Sequence, residues 1–355
     1  MATATMPALV YTAPRDGVQL RDVPCPEPGP GEVVLRVAAC GVCGTDVHAW
    51  QGAVSIRGPV TLGHEFAGVV AAVGPGVAEV QVGERVVSET AASVCGACVY
   101  CRSGQYNVCP HRRGFGFGVD GGMAGYVRTR PAILHRVPAH VPLLHAALAE
   151  PCCVAYNAII EKSRPRPGDH AVVLGPGPIG LLCVAVLRLC GVARVSMVGL
   201  RADGPRLELA RRLGADEVIA ADVDDAVARV RAWGDGFGAD LVVDAVGVST
   251  TLDQSLDMVR PNGQITKIGW GPAPVGFSLD RLISKAATLQ GAFSHTYRTW
   301  EAVLRLLGSG QLDVAPLIAP MPLAAWQAGF EGMEALRIAK AVLLPNGPDG
   351  AEAGA

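Results

Sequence analysis

The 355 residues are half apolar and only 17% charged, with a formal net charge of −2. That balance excludes an intrinsically disordered chain and supplies apolar surface for about two domains. There is no basic block to meet a phosphate backbone and no apolar run of the ~18 residues that cross a bilayer, so neither nucleic acid nor membrane is an expected partner.

In chain order, Met1–Val10 carries neither a basic nor a long apolar segment, so no signal peptide is read there and a cytoplasmic address is expected. Up to about residue 150 the pattern is of short strands broken by Gly and Pro. Val33–Ala38 and Gly68–Val73 read as strands, and Gly74-Pro75-Gly76 as a turn, which predicts a β-rich barrel or sandwich. After Pro165-Arg166-Pro167-Gly168 the pattern changes. His170–Leu174 is a strand, Ile179–Cys190 a helix, Val195–Leu200 a strand and Pro205–Leu213 a helix with a basic face. Strand-like runs follow at Val218–Ala220, Leu241–Val246 and Gln264–Gly269. This alternation predicts an α/β domain with a doubly wound parallel sheet. Gly347–Ala355 reads as a frayed tail.

Between the first strand and helix of that domain lies Gly175-Pro176-Gly177-Pro178-Ile179-Gly180, a G-x-G-x-x-G loop. Its glycines permit a tight turn and close approach to a dinucleotide pyrophosphate, which the following helix N-terminus attracts. At the end of the second strand an NAD site usually places an acid on the ribose 2′-hydroxyl. Here the residue is Gly199, followed by Arg201 and Arg206, which suit a 2′-phosphate, so NADP is preferred over NAD. Asp203 is the alternative ribose partner.

Four of the eleven cysteines fall in one short lobe, Cys95, Cys98, Cys101 and Cys109, the pattern of a closed all-thiolate zinc site. A second, dispersed set joins Cys43 and His64 with a carboxylate from Glu65 or Glu150. These are ligand types suited to a catalytic zinc that keeps one position open.

These residues carry a resemblance. Cys43-Gly44-Thr45-Asp46-Val47-His48, Gly63-His64-Glu65, the cysteine lobe, Glu150-Pro151 and the glycine loop stand in the order found in the zinc-containing medium-chain dehydrogenases. The chain most resembles their polyol (sorbitol/iditol) and threonine dehydrogenase branch. The resemblance implies a GroES-like catalytic domain (1–152, with the zinc lobe at about 93–110), a Rossmann domain (153–292) and a return to the catalytic domain (293–355). It further implies two Zn2+ per chain, with Cys43, His64 and either Glu65 or Glu150 at the catalytic ion. Thr45 and His48 would form the proton path, and the chain would be a homo-oligomer, dimer or tetramer.

The implied activity is hydride transfer between NAD(P) and a secondary alcohol or ketone, such as a polyol, cyclitol or sugar-derived compound. Sorbitol dehydrogenases carry Phe-Arg-Tyr where this chain has Phe293-Ser294-His295, and Glu150-Pro151 replaces the Asp-Pro of threonine dehydrogenases, so the substrate stays broad. A zinc-independent medium-chain reductase of activated double bonds and a non-catalytic nicotinamide-binding protein are the alternatives.

Overall fold

The computed structural model describes residues 4–271 and 273–348, so most of the tail expected from Gly347 lies outside the described residues. Residues up to Glu150 and from His295 onward form one compact unit, and Pro151–Ser294 form the other. The second unit therefore begins before the Pro165–Gly168 turn, with the helix Ala149–Tyr156 crossing into it and continuing as a π-helix over Asn157–Lys162. Among the described residues no helix is long and apolar enough to cross a membrane.

The first unit is built on a seven-stranded sheet whose spine is the pair Val33–Gly41 and Glu65–Val73. Val33–Gly41 is buried along its whole length except at Arg36, which explains its nearly unbroken apolar run. Each buried Val, Leu or Phe here contributes about 1.5–3 kcal/mol of transfer free energy. The register decides the chemistry. Gly41 pairs with Glu65, so Cys43, two residues past one strand end, arrives beside His64, one residue before the other strand begins. The returning strand Lys340–Leu344 joins the same edge through Val342↔Gly41.

In the second unit six strands run parallel: His170–Leu174, Arg194–Gly199, Glu217–Ala220, Ala239–Asp244, Val259–Lys267 and Thr288–Gly291. Counted along the chain their spatial order is 3-2-1-4-5-6, the doubly wound dinucleotide-binding order. The first strand is wholly buried, as its apolar run requires. Cys183 lies in the core of the helix Pro178–Leu189, whereas Cys190 caps that helix half-exposed.

Candidate metal centres and cofactor loop

Cys43 is the N-cap of the helix Gly44–Gln51, and the Asp46 carboxylate accepts from the Cys43 backbone N–H at 2.9 Å, fixing the thiol-bearing turn. Donor atoms of Cys43, His64 and Glu65 all lie within 4.8 Å of one another. Glu150 is outside that triplet; it is buried and bonded to His295. His64 Nδ1 and Asp46 Oδ1 are buried without hydrogen-bond partners and stand 3.9 Å apart. Burial opposes charge on His64, but the Cys43 thiolate and the Asp46 carboxylate outweigh it and hold the imidazole up to about 10. Such a buried excess of negative charge is what a cation relieves, and one thiolate, one imidazole and one carboxylate are a donor set that suits zinc.

Both nearby carboxylates have partners that local sequence reading does not supply. Lys340, itself buried, donates to Glu65 Oε1 at 2.6 Å and to the Val42 carbonyl at 2.9 Å. Burial raises the Glu65 pKa, against the pull of Lys340. Burial also works against the charge of Glu150, but the hydrogen bond from His295 and the charges around it hold that carboxyl below its ordinary value. His295, in the loop before the helix Tyr297–Gly308, is buried and turned onto Glu150.

Thr45 is half-buried, with Oγ1 3.3 Å from Cys43 Sγ, and His48 is exposed on the same short helix. Gln51 Nε2 donates to Glu334 at 2.7 Å, so its Oε1 faces His48 Nδ1 at 3.2 Å as an acceptor. That arrangement favours the proton on Nδ1 and leaves Nε2 with a lone pair.

In the cysteine lobe the Sγ–Sγ distances are 3.6 Å (Cys95–Cys109), 3.9 Å (Cys95–Cys101) and 3.9 Å (Cys98–Cys109). A tetrahedron with Zn–S bonds of about 2.3 Å has edges of about 3.8 Å, so the four sulfurs fit the ion. The Cys98 and Ala97 backbone N–H groups push the Cys95 thiol down to about 6, while burial and the neighbouring sulfurs push Cys101 up to about 12.

The glycine loop joins the first parallel strand to the helix Pro178–Leu189, with Pro178, Ile179 and Gly180 in its first turn. Gly175 has φ +96°, and a Cβ on Gly180 would lie 1.9 Å from the Gly175 carbonyl oxygen, so both positions demand glycine. Gly177, the N-cap, faces open space. At the next strand end a Cβ on Gly199 would meet Pro176 and the Asp203 carboxylate. Asp203 is buried and accepts from the Leu200 N–H at 2.9 Å. Arg201 is exposed, but Arg206 is buried rather than on an open basic face, because the helix Gly204–Arg212 turns it inward near Asp203.

Comparison with known proteins agrees with this geometry. Residues 29–139 match the alcohol dehydrogenase GroES-like domain, and residues 178–309 match the zinc-binding dehydrogenase family. The chain is 37% identical over 343 residues to a sorbitol dehydrogenase of Halalkalibacterium halodurans, covering 96% of this chain and 99% of that one. It is 36% identical over 331 residues to a D-arabitol-phosphate dehydrogenase of Enterococcus avium, covering 92% and 94%. A zinc-binding dehydrogenase of Sinorhizobium meliloti bound to NADP superposes with a TM-score of 0.89 at 28% identity, covering 97% and 100%. The chain therefore belongs to the zinc-containing medium-chain alcohol dehydrogenases, in their polyol and threonine dehydrogenase branch, and is a zinc-dependent oxidoreductase of alcohols that uses a nicotinamide cofactor.

Proposed function

We propose that the chain interconverts a secondary alcohol of the polyol, cyclitol or sugar-derived kind with its ketone, using NADP in preference to NAD. Two zinc ions per chain are assigned, one to Cys43, His64 and Glu65 with Glu150 alongside, the other to Cys95, Cys98, Cys101 and Cys109. The observation that carries the reading is the convergence of a thiol, an imidazole and a carboxylate within 4.8 Å at one sheet edge. Zinc bound there supplies a Lewis acid to the substrate oxygen, and the nicotinamide accepts or returns the hydride.

The chain's own residues do the rest. Asp46 holds the Cys43 backbone and faces His64 Nδ1, which leaves Nε2 for ligation. Lys340 and His295 neutralise or orient the two carboxylates so that neither collapses into the centre. Thr45 Oγ1 accepts the substrate hydroxyl proton as it gives up its own, and the exposed His48, with its Nε2 lone pair free, takes up the released proton and yields it to water.

For the cofactor, Gly199 removes the acid that would repel a 2′-phosphate, Asp203 is spent on backbone, and exposed Arg201 supplies the charge. Arg206, being buried, contributes through the position of Asp203. The first unit is assigned the catalytic role and the second the cofactor role. The resemblance in sequence supports a homo-oligomer, tetramer or dimer.

The test is elemental analysis of the purified protein combined with titration by NADPH and NADH. Two zinc ions per chain and tighter binding of NADPH, lost in Arg201→Ala, are expected. Tighter binding of NADH would overturn the 2′-phosphate site, and absence of zinc would favour a zinc-independent reductase.

A further inference from the structure

A cavity of about 690 Å³ in the first unit is lined by three arginines, Arg57, Arg112 and Arg113. Phe117 forms part of its wall and also packs against the His64 ring, with centroids 5.3 Å apart. Arg112 is anchored through Nη2 to Thr90 Oγ1 at 2.7 Å and lies within electrostatic reach of Glu150. The lining carries one acid, Asp120, whose Oδ1 accepts from the Thr61 N–H at 2.8 Å. The cavity thus has a net charge of +2 in a chain whose overall charge is −2. Arg113 is held by its Nη2 bond to the Gly118 carbonyl, while Arg57 is exposed and has no carboxylate partner among the described residues. Two anchored guanidinium groups and one free one facing a polar cavity are an arrangement that recognises a dianion.

We infer that this cavity binds the phosphate monoester of a phosphorylated polyol whose reacting carbinol lies at the Cys43, His64 and Glu65 centre. The inference rests on the dehydrogenase reading and narrows its substrate. A phosphate monoester carries close to two negative charges at neutral pH, matching the lining, and a volume of several hundred Å³ admits a short polyol chain with its phosphate. An uncharged polyol offers these guanidinium groups no charge to pair with.

The experiment is calorimetric titration of the zinc-loaded full chain with sorbitol 6-phosphate, sorbitol and gluconate, and with inorganic phosphate as a probe free of sugar stereochemistry. Sorbitol 6-phosphate is expected to bind roughly tenfold or more tightly than sorbitol, with the difference shrinking as salt is raised. Arg57→Gln, at an exposed position whose loss leaves the fold intact, should remove part of that difference. The Arg57→Gln/Arg113→Gln pair should remove most of it, along with the binding of inorganic phosphate. Equal affinity for the phosphorylated and plain polyol, or a preference that survives the double substitution, would overturn the inference. Gluconate binding as tightly as sorbitol 6-phosphate would overturn the assignment to phosphate. Because binding is read without turnover, a chain that binds the phosphate at these arginines yet oxidises no alcohol would sink the dehydrogenase reading instead.

Discussion

Glu150 Oε1 accepts a hydrogen bond from His295 Nε2 at 3.0 Å, and the position of that proton is set one bond further away. Trp300 Nε1, which can only donate, points at His295 Nδ1 from 2.7 Å. Nδ1 must therefore be the acceptor, and the neutral imidazole carries its proton on Nε2, toward the carboxylate. The three side chains are buried together, with Trp300 and His295 ring planes at 88°. His295 is thus a positioning residue for Glu150.

Replacing His295 by Ala leaves the Glu150 carboxylate buried without its donor, at a cost of about 1–3 kcal/mol in stability. A fall in kcat larger than any change in KM is expected. His295→Gln, whose amide N–H can donate in the same direction, should restore part of kcat. ¹⁵N NMR of the histidine ring should find the proton on Nε2 alone, held there by Glu150 on one side and Trp300 on the other, and a ring protonated at Nδ1 would disprove the tautomer argument.

Lys340→Met should be among the most damaging single changes outside the ligands. It strips the cation from Glu65 and leaves a buried acid, a loss of about 3–5 kcal/mol for one partner of a buried pair. Adding Glu65→Gln removes the stranded charge, so the double variant should regain stability while losing zinc affinity at the catalytic centre. Denaturant unfolding and zinc content measured on both variants check the two halves of this statement.

The metal-ligand candidates could be read from the chain because each lies in a local motif: Cys43 just past one strand, His64-Glu65 at the start of the next, and four cysteines within 15 residues. The glycine loop was legible for the same reason, since a short apolar strand and a helix flank it. Lys340 was not, because it meets Glu65 across 275 residues through a strand pairing made only when the chain returns to the first sheet. Its one local signal is a lone charge opening the apolar run Lys340-Ala341-Val342-Leu343-Leu344. Trp300 and His295 escaped because their roles are set by side-chain direction, which spacing does not encode. Arg206 misled for a related reason: a charged residue in a polar helix reads as exposed, and only packing shows that it turns inward.

The second unit should lose stability in acid through His170. Burial and the charge of Arg194 press its imidazole down from 6.5 to about 4. Nδ1 is buried without a hydrogen-bond partner, and Nε2 lies 3.0 Å from Ser196 Oγ. With the folded pKa below the unfolded one, the unfolded chain binds more protons between the two values. The contribution is therefore complete above about pH 6.5 and is lost as pH falls toward 4, by at most about 3 kcal/mol. Thermal unfolding at stepped pH should show this slope, and His170→Gln should flatten it. An unchanged slope in the variant would assign the acid sensitivity elsewhere.

The cysteine lobe makes the sharpest case for a metal with no part in the chemistry. Its sulfurs already stand at tetrahedral spacing, and the backbone N–H groups of Cys98 and Cys101 point at Cys95 and Cys98 Sγ at 3.4 and 3.5 Å. Four thiols so close resist joint ionisation, as the opposed shifts of Cys95 and Cys101 show, and a divalent cation reverses that cost. Cys109→Ser should lower the zinc content by one ion per chain and lower the unfolding temperature, while NADPH affinity in the second unit stays unchanged. Cys43→Ser should also remove one zinc ion, but at the expense of turnover, with little change in unfolding temperature. A Cys109→Ser protein that retains both zinc ions would show that the lobe holds no metal and that its sulfur spacing has another cause.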